Sequence, residues 1–142
     1  MAPSGLGPRR APGRGFFVLP LDSAGREWIV DAIGCPPGRL RDELCMRVLL
    51  ERLVDDLHLK VLKPPLWHVF GGQAGMTGLV LLSESHLAVH TFPELGLATF
   101  NLYCCRPRAE WPWAERLRDA LDAREVTVRV LTRGEAPAGA AP

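Results

Sequence analysis

One short segment, residues 82–94, holds the side chains of this sequence that are best suited to chemistry. It carries hydroxyl, imidazole and carboxylate groups close together, among them Ser85, His86 and His90, and apolar stretches flank it on both sides. A serine near a histidine is typical of serine hydrolases, but the Gly-x-Ser-x-Gly turn of the α/β-hydrolases is missing from the sequence. Polar groups at the end of a core strand are usually functional or fully hydrogen-bonded, so this segment is a candidate active site.

A zinc site and a phosphate-binding loop are the other kinds of site to consider. The two histidines of the segment and the adjacent pair Cys104 and Cys105 could bind zinc, yet they lack the Cys-x-x-Cys spacing of common zinc sites. The glycine-rich residues 71–75 lack a following Lys-Thr pair and lead into a strand, whereas phosphate loops lead into a helix. We therefore expect no metal ion and no bound nucleotide phosphate.

Length, composition and charge limit the class of protein. With 142 residues, of which 47% are apolar and 23% charged, the chain can form one globular domain with a substantial core. Its 17 basic and 16 acidic residues nearly cancel, so no basic field is available to bind nucleic acid or an acidic membrane. The apolar run at residues 16–21 is too short for a membrane span or a secretory core. We expect a soluble cytoplasmic protein with reduced cysteines, no nucleic acid and no membrane.

Hydrophobic periodicity predicts two helices. Residues 39–57 carry apolar side chains at helical spacing, which we expect to face the core: Leu40, Leu44, Val48, Leu53 and Leu57. Residues 113–124 form the second predicted helix, with Pro112 near its first turn.

Strand patterns occupy most of the rest of the chain. The predicted strands cover residues 26–33, 59–62, 67–70, 77–82, 86–91, 97–103 and 126–130. Residues 93–96 make a short connection that implies an antiparallel hairpin. The fold class is therefore α+β, a two-layer sandwich of a mainly antiparallel sheet with two helices packed on one face. Residues 16–133 form the predicted domain, with one more strand possible at residues 16–21, between disordered tails at 1–15 and 134–142.

A family resemblance gives the candidate site a chemistry. Thr-Gly at 77–78, Glu-Ser-His at 84–86 and His-Thr-Phe-Pro-Glu at 90–94 together resemble the bacterial and archaeal S-adenosylmethionine decarboxylase proenzymes, a pyruvoyl-dependent family. The resemblance extends more loosely over residues 25–131 and includes residues 31–35. It implies that the chain cleaves itself between Glu84 and Ser85 into a β chain, 1–84, and an α chain, 85–142. Ser85 would become a pyruvoyl group that forms a Schiff base with the substrate amine, so no external cofactor is needed.

The resemblance also assigns roles to individual residues. It implies that His90 is the base in self-cleavage and that Thr77 supports this step by hydrogen bonding. Cys105, twenty residues after Ser85, matches the cysteine that protonates the carbanion after decarboxylation, whereas Cys104 is one residue out of register and is interpreted as structural. The resemblance also implies two substrate-binding residues. Glu94 matches the carboxylate that binds the ribose hydroxyls, and Phe70 matches the aromatic residue that stacks on adenine.

Departures from the family pattern leave the substrate open. The segment from residue 70 to residue 77 is one residue longer than usual and rich in glycine, Phe92 replaces a familiar Trp or Tyr, and Asn101 stands where many relatives carry an acid. The first hypothesis is an S-adenosylmethionine decarboxylase that serves spermidine synthesis. The alternatives are a pyruvoyl-dependent arginine or ornithine decarboxylase and a non-catalytic dimeric homologue. In each enzymatic case we expect a small-molecule substrate and a homodimer of α/β pairs.

Overall fold

The computed structural model describes residues 24–134. The predicted tail at 1–15, the strand suggested at 16–21 and the predicted C-terminal tail beyond Gly134 lie outside this range. The elements follow in chain order: β1 Gly25–Ile33, α1 Pro37–Leu40, α2 Glu43–Asp56, β2 Leu66–Val69, β3 Met76–Leu82, β4 Ser85–Phe92, a 3-10 turn Pro93–Leu95, β5 Leu97–Cys104, α3 Trp113–Leu121 and β6 Glu125–Arg133.

All strands pair antiparallel in one six-stranded sheet, in the order β2-β3-β4-β5-β1-β6. Side chains alternate between the two faces of the sheet. On one face, residues such as Val30, Leu87 and Phe100 are buried in a single core with Leu53 of α2 and Leu117 of α3. The predicted α+β class with an antiparallel sheet is thus confirmed.

The first predicted helix is two helices. Asp42 separates them, because its side chain accepts a hydrogen bond from the main-chain N–H of Cys45 at 3.0 Å and caps the start of α2. The predicted buried face was wrong for Leu44 and Val48, whose exposed fractions are 71% and 53%. Helical spacing counted from Leu40 does not carry across the break between the helices. The buried face of α2 instead consists of Met46, Leu49, Leu50 and Leu53.

The strand predicted at residues 59–62 was also wrong. Within the described residues, this segment contributes a single bridge, between Val61 and Leu82. Pro64 and Pro65 follow after Lys63 and have no N–H to donate, so the pairing with β3 is interrupted until β2 begins at Leu66. The second helix ends earlier than predicted, at Leu121, because Asp122 adopts a left-handed backbone conformation with φ of 51°.

Thr91 fixes the end of β4 against the end of α1 and against β3. Its hydroxyl donates to the carbonyl of Leu40 at 2.8 Å and accepts from the main-chain N–H of Met76 at 3.0 Å. Gly75 packs so closely here that an added Cβ would lie 2.1 Å from the carbonyl oxygen of Thr91. Only glycine therefore fits at residue 75, and this contact accounts for one glycine of the glycine-rich loop.

Candidate active site

Polar side chains of the candidate segment lie on the sheet face opposite the helices, which we call the open face. Leu87 and Val89 of β4 point into the core, so the alternating residues His86 and His90 point to the open face. Thr77 of β3 shares this face with them, because it lies directly opposite His90 in the strand register.

Thr77 and His90 contact one another. The Thr77 hydroxyl oxygen lies 2.9 Å from Nδ1 of His90, across the pair of strands β3 and β4. The contact orients the imidazole, and in the tautomer whose Nδ1–H donates to the threonine oxygen, Nε2 is the ring nitrogen that can accept a proton. The structure thus brings together the two residues to which the sequence assigns a part in self-cleavage.

Phe70 and Glu94 lie at the same end of the sheet as this pair. Phe70 follows β2 directly and is 49% exposed, with its ring edge-on to His68 at a centroid distance of 4.5 Å. Glu94 is exposed in the 3-10 turn that follows β4. The end of β2, the start of β3 and the end of β4 are adjacent in the register. The predicted substrate-binding residues are therefore at the same end of the sheet as Thr77 and His90.

The Glu84–Ser85 peptide lies at the opposite end of the sheet, where a tight turn joins β3 to β4. Ser85 begins β4, is half-buried, and is the register partner of both Leu82 and Cys104. The carbonyl oxygen of Glu84 accepts a hydrogen bond from the main-chain N–H of Cys105 at 3.3 Å. The scissile carbonyl predicted from the sequence is therefore already bonded to a main-chain donor.

The two adjacent cysteines have different environments at this junction. Cys104 is buried on the core face opposite Ser85, and this burial raises the pKa of its thiol. Cys105 follows the end of β5 and is exposed. The difference agrees with the alternation of side chains along a strand, and it leaves Cys105 as the more accessible thiol.

Ser85 and His90 are far apart within one chain. Five residues of extended strand separate them, which corresponds to about 16 Å at about 3.3 Å per residue. Their side chains also point to opposite faces of the sheet, since Ser85 alternates with His86. One chain thus carries two separate groups of candidate residues, one at each end of β4.

A third polar group on the open face was missed in the sequence. Nε2 of His86 lies 3.0 Å from Oδ1 of Asn101, and Nδ2 of Asn101 donates to Glu27 at 2.8 Å. The hydrogen bond from Asn101, followed by the contact with Arg133, lowers the pKa of Glu27. These residues come from β4, β5, β1 and β6, so only the strand register brings them together, and no local pattern could have predicted the group.

Other kinds of site find no support in residues 24–134. No three His, Cys, Asp or Glu side chains in this range are grouped so that they could hold a metal ion. None of the helices in the same range has the length and apolar character that crossing a bilayer requires. A cleft of about 370 Å³ between α2 and the β2–β3 edge, lined in part by Arg47 and Trp67, includes none of the predicted site residues.

Comparison with known proteins identifies one family. Residues 26–134 match the family model described as S-adenosylmethionine decarboxylase. An S-adenosylmethionine decarboxylase proenzyme of Clostridium tetani is 31% identical over 118 residues, which cover 80% of this chain and 90% of that protein. The S-adenosylmethionine decarboxylase proenzyme 2 of Halalkalibacterium halodurans is 34% identical over 121 residues, covering 82% of this chain and 91% of that protein.

Two further similarities concern the substrate and the fold. An arginine decarboxylase proenzyme of Aeropyrum pernix is 33% identical over 103 residues, which cover 72% of this chain and 78% of that protein. The crystal structure of the adenosylmethionine decarboxylase from Aquifex aeolicus superposes with a TM-score of 0.68 at 26% identity, covering 84% of this chain and 98% of that one.

Proposed function

Because the chain belongs to the S-adenosylmethionine decarboxylase family, we propose that it is a proenzyme that cleaves itself at Glu84–Ser85 and then decarboxylates S-adenosylmethionine. The product would be the aminopropyl donor for spermidine synthesis. The observation that carries the proposal is the Glu84–Ser85 junction. The carbonyl oxygen of Glu84 accepts a hydrogen bond from the main-chain N–H of Cys105, and Ser85 begins β4 opposite Cys104 in the strand register.

Self-cleavage begins with attack of the Ser85 hydroxyl on the Glu84 carbonyl carbon. A C–O bond forms, the C–N bond of the peptide breaks, and the hydroxyl proton moves to the nitrogen, which leaves an ester. Negative charge develops on the Glu84 carbonyl oxygen during this step. The Cys105 N–H, which already lies 3.3 Å from that oxygen, is oriented to stabilise the charge.

The second stage is an elimination that needs a base. The base removes the α-proton of residue 85, the Cβ–Oγ bond breaks, and the Glu84 carboxylate leaves as the end of the β chain, residues 1–84. Water then displaces ammonia from the resulting dehydroalanine, so that residue 85 becomes the pyruvoyl terminus of the α chain. His90, oriented through Nδ1 by Thr77, is the proposed base, with Nε2 taking the proton.

A homodimer accounts for the distance between His90 and Ser85. Since the two residues of one chain lie at opposite ends of β4, His90 of a second copy would remove the α-proton of residue 85 of the first, which belongs to the main chain and not to the side chain that points to the core face. The open face, which the helices do not cover, supports face-to-face association because it exposes apolar side chains, including Leu79 at 44% and Leu81 at 51%. Two copies related by a two-fold axis would each complete the partner's site.

Decarboxylation uses the residues at the start of β4 and directly after β5. The pyruvoyl group supplies a carbonyl that withdraws electrons from the α-carbon of the substrate while carbon dioxide leaves. Cys105 then donates a proton to that carbon, a role supported by its exposure next to the junction. The buried neighbour Cys104, whose pKa is raised, stays protonated in the core face and fills space there.

The nucleoside part of the substrate would bind near Glu94 and Phe70. A carboxylate can accept hydrogen bonds from both ribose hydroxyls, and an exposed aromatic ring can stack on adenine. Arginine or ornithine is the second candidate substrate, favoured by the similarity to an arginine decarboxylase proenzyme and by the longer glycine-rich loop beside Phe70. In that case Glu94 would pair with the distal cation of the amino acid.

One experiment tests both parts of the proposal. Intact-mass analysis of the purified protein should find two fragments, residues 1–84 and 85–142, with the second blocked to Edman sequencing. Carbon dioxide release is then measured with S-adenosylmethionine, arginine and ornithine in parallel, and S-adenosylmethionine should be the substrate. An intact chain that releases no carbon dioxide from any of them would identify a non-catalytic homologue instead.

A further inference from the structure

Arg106 contacts the residue whose carbonyl is attacked in the proposed self-cleavage. Its Nη2 donates to Oε1 of Glu84 at 2.7 Å, and its Nε pairs with Oε2 of the same carboxylate. The preceding residue, Cys105, donates its main-chain N–H to the carbonyl oxygen of Glu84 at 3.3 Å. Two consecutive residues after β5 therefore hold both the carboxylate and the carbonyl of Glu84.

This ion pair is poorly suited to stabilising the fold. The Arg106 and Glu84 side chains are 67% and 41% exposed, and exposed ion pairs contribute little to stability because water and salt screen them. The geometry is nevertheless specific, since the planar guanidinium contacts both carboxylate oxygens at once. Hydrogen bonding to Glu84 also raises the pKa of Arg106, so the positive charge is retained. A specific contact with little structural value, placed at the cleavage junction, points to a role in cleavage.

We propose that Arg106 is a positioning residue for cleavage of the Glu84–Ser85 bond, holding Glu84 in place and cancelling the charge of its carboxylate beside the developing oxyanion. The proposal rests on the proposed function, because it concerns the same self-cleavage. Arg106 is not among the residues to which the sequence resemblance assigns a role.

The need for a positive charge follows from the bond changes at Glu84. As Ser85 Oγ bonds to the carbonyl carbon and the C–N bond breaks, the carbonyl oxygen passes through a negatively charged state. The carboxylate of Glu84 belongs to the same residue, so its negative charge opposes the charge that develops on the carbonyl oxygen, although water partly screens the repulsion. The guanidinium of Arg106 cancels that charge and fixes the side chain, which keeps the carbonyl oxygen on the Cys105 N–H.

The test measures the rate at which freshly purified or refolded full-length chain converts into the two fragments. Arg106→Ala should slow conversion about tenfold or more, which is the size expected from losing one well-placed electrostatic contact in a transition state. The conversion rate of Arg106→Lys should lie between the rates of the wild-type chain and of Arg106→Ala, because an ammonium keeps the charge but cannot contact both carboxylate oxygens in the same way. Arg39→Ala is the matched control, since Arg39 is also an exposed, ion-paired arginine but pairs with Asp122, away from the junction.

A double variant distinguishes the loss of charge cancellation from a general disturbance of the structure around the junction. Adding Glu84→Gln to Arg106→Ala should recover much of the lost rate, because the neutral amide no longer repels the oxyanion. A double variant no faster than Arg106→Ala would contradict the proposal, and so would an Arg106→Ala chain that converts at the wild-type rate. The Tm of the uncleaved Ser85→Ala chain should be the same with and without the additional Arg106→Ala substitution. That result would show that Arg106→Ala does not affect the fold.

The outcomes also distinguish this proposal from the proposed function. If the wild-type chain converts and Arg106→Ala converts equally fast, only the role of Arg106 is overturned. If the wild-type chain never converts, self-cleavage itself is wrong, and the role of Arg106 is overturned with it.

Discussion

Thr77 and His90 lie directly opposite one another on β3 and β4, with the threonine hydroxyl 2.9 Å from Nδ1 of the imidazole. Two residues thirteen positions apart in the sequence therefore form one hydrogen-bonded unit. When Nδ1–H donates to the threonine oxygen, Nε2 of His90 is the ring nitrogen that can accept a proton. The pairing depends on the strand register, which the short turn at residues 83–84 sets.

His90→Ala should stall maturation after the ester has formed, because elimination requires a base to remove the α-proton of residue 85. We expect the rate of fragment formation to fall at least about 100-fold, the lower range for general acid–base catalysis. Intact-mass analysis should find a full-length chain that hydroxylamine cuts between Glu84 and Ser85. Thr77→Val, which keeps the shape but loses the hydroxyl, should slow the same step less. Maturation of His90→Ala at the wild-type rate would show that another group is the base.

Mixing two inactive variants should restore cleavage if two chains share each site. A dimer of one Ser85→Ala chain and one His90→Ala chain contains one complete pair, with Ser85 from the second chain and His90 from the first. After joint refolding of equal amounts, up to about half of the chains should form such mixed dimers, and their His90→Ala chains should be cleaved. The separate variants, refolded alone, are the controls. No cleavage in the mixture would mean that His90 does not act between copies.

Cys105→Ala should process normally but lose decarboxylase activity by about 100-fold or more, because the carbanion then lacks a placed proton donor. Without that donor, protonation on the wrong carbon converts the pyruvoyl group into an inactive form, so activity should also decay during turnover. Cys104→Ala is the matched control and should have nearly full turnover, since its thiol is buried and protonated. Iodoacetamide should label Cys105 faster than Cys104. The opposite pattern of activities would assign the proton donor to Cys104.

Glu94→Gln should raise the KM for S-adenosylmethionine with little effect on self-cleavage. Loss of a charge-assisted hydrogen bond of about 1.5–3 kcal/mol corresponds to about a 10- to 150-fold weaker interaction. Methylthioadenosine, the nucleoside fragment of the substrate, should inhibit the wild-type enzyme and inhibit this variant less. Turnover of arginine without any inhibition by methylthioadenosine would favour the amino-acid decarboxylase instead.

The open-face group around Glu27 should make stability depend on pH. Its pKa in the folded protein is lowered, chiefly by the hydrogen bond from Asn101 and then by Arg133. The carboxylate therefore contributes stability above its unfolded pKa of about 4.3, and this contribution is lost as pH falls through the lower folded value. Thermal unfolding of Ser85→Ala between pH 6 and pH 3 should show a smaller decline after Glu27→Gln. An unchanged decline would mean that other carboxylates control acid unfolding.

Local patterns predicted the elements that are neighbours in the sequence. The strands β3, β4 and β5 and the connection at residues 93–96 follow from alternation and turn residues, and they were confirmed. Leu44 and Val48 were misplaced because a capping aspartate, Asp42, divided an apparently continuous periodic segment. The apolar run at residues 59–62 was mistaken for a strand, because Pro64 and Pro65, which have no N–H to donate, limit it to a single bridge with β3.

Contacts that depend on distant strands could not be predicted. The pairing of Asn101 with Glu27 and His86 requires β1 to lie beside β5 in one particular register, and no residue near any of them signals it. The predicted strand at residues 86–91 already implies that Ser85 and His90 lie far apart, but it could not show which residues of neighbouring strands lie beside each of them. Arg106 was missed because its partner Glu84 lies 22 positions earlier in the chain.

Cutting this sheet at the β3–β4 turn would yield two interleaved fragments. The β chain would keep β1, β2 and β3, while the α chain would keep β4, β5 and β6. In the sheet, however, β1 lies between β5 and β6 and is paired along its length with both. Separating the fragments would break both ladders of β1 and the ladder between β3 and β4. A mature enzyme should therefore migrate as one particle until it is fully denatured, and neither fragment should fold alone.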